Sequence, residues 1–296
     1  MSSHPSQISV AAATDRLPMT LPRLAEMKRR GEPIVMVTAY DFPSARAAET
    51  AGVDVVLVGD SGAMTVLGYP STVPVETGEL LVLAKAVRRG LRTALLVGDL
   101  PFGSYEVSDE QGVRTAQRFV KEAGCDAVKL EGGGPTPTAR ARAIVGAGIP
   151  VMGHVGLTPQ TATALGGYRA QGRSAETAAR IASEALALQE AGCFSLVFEA
   201  IPSQVAELLM ARIEIPVIGI GAGPATDGQV LVFHDLLGIR EGIGARFVKR
   251  YANLQDEMAA GVAAYADDVR TRRYPEAQHG YAIDADELRG FRHGLT

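Results

Sequence analysis

Short apolar runs of strand length recur along the chain and alternate with longer stretches of helical composition. These runs predict eight strands, at residues 34–38, 55–58, 94–98, 127–130, 149–153, 194–198, 216–220 and 229–233. The stretch 174–190 has a helical pattern, because its apolar residues recur every three or four positions after a polar start. Alternation of this kind is typical of parallel strands joined by helices.

The joints between helix and strand also repeat. An Ala-Gly pair stands before four of the predicted strands, at 51–52, 123–124, 147–148 and 191–192. Glycine at such a place ends a helix in the left-handed conformation without a Cβ clash. We interpret the pairs as weak repeats of one strand–helix unit.

Eight such units predict an α/β fold, a single-domain (β/α)8 TIM barrel over residues 21–273. Residues 21–30 would form a helix that closes the bottom of the barrel, and 254–273 a final helix. Residues 1–20 are predicted to be a flexible N-terminal tail, and 274–296 a C-terminal extension. A doubly wound open sheet is the alternative, but it would gather its ligand groups at one switch point.

Polar residues stand where the apolar runs of five predicted strands end. They are Asp60 with Ser61, Asp99, Lys129 with Glu131, His154, and Glu199. A barrel brings the carboxyl ends of its strands to one rim, so residues far apart in sequence can surround a single ligand. The pattern therefore predicts one active site rather than five separate features.

The acidic members of this set suggest a metal site. Asp60, Asp99 and Glu131 form an oxygen-only ligand set, which suits a hard cation such as Mg²⁺ better than zinc. Mg²⁺ leaves positions for water and for a chelating substrate such as a 2-oxo acid. The alternative for Asp60 and Asp99 is that each caps the following helix or turn.

The other rim residues have a substrate role and a structural alternative. Strand alternation places Lys129 and Glu131 on the same side, where they either meet a ligand or form a structural ion pair. His154 either contacts a ligand or is a satisfied core histidine. Glu199 follows an apolar run, which makes it a general-base candidate. Its alternative is an ion pair with an arginine of the preceding loop, Arg169 or Arg173.

A glycine-rich segment, residues 219–223, follows the seventh predicted strand. Many barrels bind a phosphate with backbone N–H groups at this place. The segment lacks the lysine of a P-loop and the context of a dinucleotide fingerprint, so tight turn geometry explains it equally well.

Composition narrows the possible partners and location. The net charge of −4 comes without a basic stripe, which argues against nucleic acid, and no apolar run approaches the roughly 18 residues of a membrane span. Cys125 and Cys193 both precede a predicted strand, where we expect buried structural thiols. Without a recognisable secretion signal, the protein is expected to be soluble and cytoplasmic.

Seven motifs in order resemble the ketopantoate hydroxymethyltransferase family of pantothenate synthesis. They are VGDSGAMTVLGYPST, GDLPFGSY, VKLEGG, GHVGLTPQ, GGYRAQGR, VFEAIP and IGIGAGPATDGQVLVFHDLLG, between about residues 36 and 237. The resemblance implies a barrel of the phosphoenolpyruvate/isocitrate lyase superfamily, Mg²⁺ dependence, and transfer of a one-carbon unit from methylene-tetrahydrofolate to 3-methyl-2-oxobutanoate. It also implies a homo-oligomer, a decamer in this family.

The resemblance further implies roles for the rim residues. Asp60 and Asp99 would be direct metal ligands, with Glu131 near the ion. Ser61, Lys129 and His154 would contact the oxo acid together with the ligand aspartates, and Glu199 would accept the proton in a reaction through a Mg-stabilised enolate.

Two other functions stay open. One is a superfamily Mg²⁺-dependent C–C lyase or phosphonate mutase; such lyases carry a reactive cysteine in a mobile loop, whereas both cysteines here precede strands. The other is a non-catalytic metabolite-binding barrel, which should have lost some acidic rim residue, yet all are present.

Overall fold

The strands close into one parallel barrel. The computed structural model describes residues 16–240 and 244–295, and within them the strands follow one another around the barrel in sequence order. They are β1 (Ile34–Thr38), β2 (Val55–Val58), β3 (Leu95–Asp99), β4 (Ala127–Lys129), β5 (Val151–Gly156), β6 (Ser195–Glu199), β7 (Val217–Ile220) and β8 (Gly228–Leu231). Strand β8 pairs with β1, with Ile34 opposite Gly228. The predicted (β/α)8 TIM barrel is therefore confirmed.

Helices surround the barrel. They are α1 (Leu21–Arg30), α2 (Phe42–Thr50), α3 (Gly62–Thr65), α4 (Thr77–Gly90), α5 (Asp109–Ala123), α6 (Pro135–Gly146), α7 (Ala175–Glu190), α8 (Ser203–Met210), α9 (Phe233–Leu237), α10 (Leu254–Arg270) and α11 (Ala285–Gly294). The connection from β7 to β8 is a loop without a helix, residues 221–227. This loop contains the end of the glycine-rich segment.

Local sequence signals account for several helix ends. Ser174 caps α7, because its hydroxyl accepts from the Thr177 backbone N–H while the Thr177 hydroxyl accepts from the Ser174 backbone N–H. Gly124 ends α5 at φ +69°, in the left-handed conformation expected of a glycine there. The helix predicted at 174–190 and the Ala-Gly joint at 123–124 are thus confirmed.

The core has two layers. Inside the barrel, alternate strand residues such as Met36, Leu57, Val97 and Met152 pack together. Leu24 and Met27 of α1 contact this cluster, at the end where the strands begin. A larger outer layer joins the other faces of the strands to the helices. The inner layer is apolar where the strands begin. Polar side chains that point into the barrel lie at the opposite rim, where the strands end.

Strands β1 and β2 have the predicted limits, whereas each of the other six strands differs from its prediction by one to three residues at one or both ends. Two of these differences concern the rim where the strands end. Strand β5 continues to Gly156 rather than ending at Gly153, because His154 points into the barrel and pairs in register opposite Val197 of β6. Strand β8 ends at Leu231 instead of Phe233. The Phe233 backbone N–H donates to the Thr38 hydroxyl at 2.9 Å, and α9 begins at that residue.

The described residues at the two ends of the chain differ in burial. Residues 1–15 of the predicted tail lie outside the described residues, whereas Arg16 pairs with Asp54 at 2.9 Å and Met19 is buried. The packed part of the chain thus begins at Arg16 at the latest. At the other end, α10 stops at Arg270, not Arg273, and neither α10 nor α11 has a buried residue.

Two predictions from composition can be compared with the structure. Cys125 and Cys193 are both free and buried, as expected for structural thiols. In the part of the chain that the structure describes, no helix is long and apolar enough to cross a membrane. The cytoplasmic location and the absence of a nucleic-acid partner stay predictions.

Candidate active site

The pleat of the barrel carries four polar side chains to one rim. Inward-facing positions alternate along each strand, so the apolar Val97 is followed two residues later by Asp99, at the end of β3. The same step leads from the inner core to Lys129 in β4, to His154 in β5 and to Glu199 in β6. The four side chains line one cavity at the carboxyl ends of the strands.

Asp60 and Ser61 reach the cavity differently, from the turn after β2. The Asp60 backbone N–H donates to Asp99 Oδ2 at 3.1 Å, which fixes this turn against β3. The Ser61 hydroxyl lies 2.8 Å from the Tyr40 hydroxyl. Both Asp60 and Ser61 line the same cavity as the strand residues. The structure thus brings together all seven residues that the sequence selected.

Asp60, Asp99 and Glu131 form a buried acidic cluster. Their ligand oxygens lie within 4.8 Å of one another. Burial, followed by the charges of Asp99 and Glu131, raises the pKa of Asp60 well above its ordinary value. Burial also raises the pKa of Asp99, although Lys129 opposes the shift. Carboxylates held together in this way favour either protons or a cation between them.

Lys129 is an ionic partner of this cluster. Its Nζ donates to both Asp99 oxygens, at 2.8 and 2.9 Å, and lies 3.6 Å from Glu131 Oε1. Burial alone would lower the pKa of Lys129, but Asp99, Glu131 and Asp60 raise it above its ordinary value. The alternative ion pair with Glu131 is therefore present, but the closer partner is Asp99.

His154 lies between two carboxylates. Its Nδ1 is 3.5 Å from Glu131 Oε1 and its Nε2 is 3.2 Å from Glu199 Oε2, although neither nitrogen has a hydrogen bond of good geometry. Burial and then Lys129 act to lower the pKa of His154, but the two flanking carboxylates outweigh them and raise it to about 9. The two carboxylates therefore favour the protonated imidazole, in which the contacts of His154 with Glu131 and Glu199 are ionic.

Glu199 is more accessible than the three residues of the acidic cluster. Its side chain is 15% exposed, against 1–4% for Asp60, Asp99 and Glu131 as residues. Within the described residues its ionic partner is His154, and neither Arg169 nor Arg173 pairs with it. The alternative of an arginine ion pair is therefore not what the structure has.

Sequence reasoning missed Gln160, which connects two of the acids. Its Nε2 donates to Asp60 Oδ2 at 3.0 Å, and its backbone N–H donates to Glu131 Oε2 at 3.0 Å. The Tyr105 hydroxyl donates to Gln160 Oε1 at 2.8 Å. Gln160 ends the motif GHVGLTPQ, but only His154 was selected from that motif. A glutamine after a strand has no chemistry of its own that would have singled it out.

Two cavities meet at this rim. The inner cavity measures about 170 Å³ and contains the acidic cluster. A second cleft of about 560 Å³ lies beside it. Tyr168, Glu199 and Phe247 line both. The glycine-rich segment contributes Gly221 and Gly223 to the outer cleft, at φ +66° and +83°, so its turn geometry is a feature of the structure.

The donor set fits a divalent cation. Apart from Asp235, which pairs with Arg240, the inner cavity has four acidic side chains (Asp60, Asp99, Glu131 and Glu199) and two basic ones (Lys129 and His154). With all six of these described side chains ionised, the excess would be two negative charges, which is the charge that Mg²⁺ offsets, and three oxygens this close suit a hard cation. A closed parallel barrel with such a cluster at its rim defines a class, the metal-dependent barrel enzymes.

Several solved structures of low sequence identity have the same fold. The chain is similar to phosphonopyruvate hydrolase, at 13% identity and a TM-score of 0.57, with 94% of this chain and 97% of that one covered. It is also similar to 2,3-dimethylmalate lyase, a member of the PEP mutase/isocitrate lyase superfamily, at 14% identity and a TM-score of 0.56, with 93% and 99% covered. These likenesses show the fold alone.

Sequence relatives are much closer. The model of the ketopantoate hydroxymethyltransferase family matches residues 18–277, and the chain belongs to that family. The 3-methyl-2-oxobutanoate hydroxymethyltransferase of Moorella thermoacetica is 54% identical over 264 residues, with 89% of this chain and 97% of that protein covered. The mitochondrial enzyme 1 of that name from Arabidopsis thaliana is 50% identical, with 92% and 80% covered. The resemblance read from the seven motifs, and the enzyme class it implies, are confirmed.

Proposed function

We propose that the chain transfers a hydroxymethyl unit from methylene-tetrahydrofolate to 3-methyl-2-oxobutanoate, giving 2-dehydropantoate, the first step of pantothenate synthesis. The observation that carries this proposal is the joint placement of an oxygen-only acidic cluster and a separate carboxylate, Glu199, on one small cavity. Relatives about half identical over most of the chain have the printed name of this activity.

The inner cavity suits the oxo acid. We assign Asp60 and Asp99 as direct ligands of Mg²⁺ and Glu131 as a nearby acid, because these are the three oxygens that lie together. Lewis-acid stabilisation of negative charge on the keto oxygen is the chemistry that Mg²⁺ supplies when bound. Lys129 and His154 add positive charge to the same cavity, and Ser61 offers a hydroxyl, so the three can bind the anionic substrate.

Glu199 is the proton acceptor in this proposal. Its carboxylate lies on the wall of the inner cavity beside His154, whose positive charge at 3.2 Å holds it in place. The proton on C3 of the oxo acid passes to Glu199, and the electron pair left behind forms the new bond between C3 and the one-carbon unit. The two carbon–nitrogen bonds of the methylene bridge break: water supplies the hydroxymethyl oxygen, its two protons go to the two folate nitrogens, and tetrahydrofolate is released. The proton held by Glu199 then completes the new hydroxyl group.

A C–C lyase or phosphonate mutase is the second candidate, since the fold is shared with such enzymes. Those lyases use a reactive cysteine, whereas burial raises the pKa of both Cys125 and Cys193 to about 12. A non-catalytic barrel is the third candidate. Every acidic rim residue is present around the cavity, and Asp60, Asp99 and Glu131 are buried there, which favours catalysis over passive binding.

Proton NMR of 3-methyl-2-oxobutanoate in D₂O with the enzyme and Mg²⁺ tests the proposal. We expect the C3–H signal to disappear, and a chelator to prevent the loss. Glu199→Gln should slow this exchange by about 100- to 10,000-fold, the usual contribution of a positioned base, while oxo-acid binding is retained. Glu207→Gln, an exposed glutamate of α8, is the matched control.

A persistent C3–H signal with the wild-type protein would contradict the proposed reaction, and the lyase and mutase substrates would then be assayed. Exchange at the wild-type rate in Glu199→Gln would leave the reaction in place but assign the base to another residue.

We also propose that the chain forms a homo-oligomer, a decamer by family resemblance. Helix α10 supports an assembly, because Met258, Val262, Tyr265 and Val269 form an exposed apolar stripe along it. Light scattering of the purified protein tests the size, and a monomeric mass would contradict it.

A further inference from the structure

The outer cleft shares a wall with the inner cavity. Glu199, Tyr168 and Phe247 line both spaces, so a molecule in the outer cleft contacts the same carboxylate as the substrate inside. A reaction that joins two substrates needs adjoining binding sites, so that the two reacting carbons can come together beside the group that moves the proton.

Size separates the two spaces. The inner cavity, at about 170 Å³, is below the roughly 300–1,000 Å³ typical of pockets for larger ligands, and suits a five-carbon oxo acid. The outer cleft, at about 560 Å³, falls within that range. Of these two spaces, the outer cleft is therefore the one with room for the larger co-substrate.

Charge distinguishes the outer cleft as well. Arg169 and Arg246 line it, both are exposed, and neither pairs with an acidic side chain in the described parts of the chain. Most arginines on the helices do have such a partner, for example Arg114 with Glu110 and Arg118 with Glu122. Two unpaired guanidinium groups at the mouth of one cleft are complementary to a ligand that carries carboxylates.

The walls of the cleft suit a flat ring. The Phe247 ring packs on Gly221 so closely that a Cβ on this glycine would lie 2.5 Å from it. Tyr168 is 56% exposed, so its ring is open to a ligand in the cleft. Partial burial, followed by the negative charge of Asp60, raises the pKa of its hydroxyl, so the hydroxyl lies near the acids. Aromatic side chains on a cleft that reaches a catalytic carboxylate favour a heteroaromatic ligand.

We infer that the outer cleft is the binding site of the one-carbon donor, a reduced folate, with its pterin ring towards Glu199 and its glutamate carboxylates at Arg169 and Arg246. This inference rests on the proposed function, because a folate is the larger co-substrate of that reaction. It adds the location of the second substrate and two residues that select its anionic tail.

Calorimetric titration with two probes tests the assignment. Tetrahydrofolate carries the carboxylate tail, whereas 6-methyltetrahydropterin has the ring without the tail. The double variant Arg169→Gln, Arg246→Gln should bind tetrahydrofolate about tenfold more weakly and bind the tailless pterin as the wild type does. Arg23→Gln is the matched control, because Arg23 is an exposed arginine of α1, at the opposite end of the barrel.

C3–H exchange of the oxo acid, measured on the same samples, separates this inference from the proposed function. Absence of exchange in the wild type would remove the reaction on which the inference rests. Exchange in the wild type, together with equal tetrahydrofolate affinity in the wild type and the double variant, would show that the donor binds elsewhere. Weaker binding of both probes would also contradict the assigned orientation, since the loss should be confined to the tail.

Discussion

The acidic residues of the site depend on neutral neighbours for their position. Asp60 accepts from the amide of Gln160, and Glu131 accepts from its backbone N–H. The amide also donates to the Leu100 carbonyl at 3.0 Å, and Tyr105 holds the amide oxygen. Gln160 therefore positions two of the three oxygens of the cluster without itself being a metal ligand.

We expect Gln160→Ala to lower the affinity for a divalent cation by about 10- to 100-fold, the usual cost of removing a residue that orients a ligand. The Asp60 carboxylate loses a buried donor in this variant, whereas the backbone contact to Glu131 remains. Electron paramagnetic resonance of free Mn²⁺ in titrations of the protein measures the affinity without any turnover.

Tyr105→Phe is a graded comparison, because it removes a hydroxyl that fixes the amide of Gln160 and accepts from the Glu131 backbone N–H at 3.3 Å, but leaves the donors to both carboxylates in place. Its loss of Mn²⁺ affinity should be the smaller of the two. Equal affinities for wild type and Gln160→Ala would mean that the carboxylates hold their positions without the glutamine.

Strand alternation explains how much of the site the sequence predicted. The two-residue period put Lys129 and Glu131 on the same side, and both line the inner cavity. Gln160 could not be found in this way, since it contacts Asp60 across 100 positions of sequence. The length of β5 was likewise hidden, because a polar His154 reads as the end of an apolar run until its neighbours on the rim are known.

The contact between β5 and β6 positions Glu199 through its backbone. Gly156, the last residue of β5, has φ +101°, and a Cβ there would lie 2.2 Å from the Glu199 carbonyl oxygen. Only glycine tolerates both the dihedral angle and this approach. The position of Glu199, the proposed base, therefore depends on having glycine at residue 156 of the neighbouring strand.

We expect Gly156→Ala to lower the free energy of unfolding by about 3 kcal/mol or more, through backbone strain and overlap, and to slow C3–H exchange because Glu199 is displaced. Gly146→Ala is the control: this glycine ends α6, has no atom within 4 Å of the added Cβ, and should gain up to about 1 kcal/mol. Urea unfolding and the NMR exchange assay measure the two effects. Wild-type stability and exchange in Gly156→Ala would show that β6 can shift without consequence.

At the scale of the whole molecule, the barrel holds together an acidic site that lowers the stability of the folded protein. Asp60 and Asp99 are buried next to Glu131, and burial, then mutual repulsion in the case of Asp60, raises the pKa of both aspartates. The folded state therefore keeps protons that the unfolded chain has released. By linkage, the stability of the metal-free protein falls as the pH rises from the ordinary aspartate range towards the raised pKa values. A cation that binds the ionised carboxylates should restore what is lost.

The melting temperature, measured with and without Mg²⁺, tests this link between proton release, cation binding and stability. The gain on adding Mg²⁺ should be larger at about pH 8 than at about pH 5.5, because more protons have left the cluster at the higher pH.

Asp60→Asn keeps an acceptor for Gln160 but removes one of the repelling charges. We expect its metal-free form to melt about 2–4 °C above the wild type and to gain little from Mg²⁺. The Glu207→Gln control should behave as the wild type does, and a Mg²⁺ gain in Asp60→Asn equal to that of the wild type would contradict the assignment of Asp60 as a ligand.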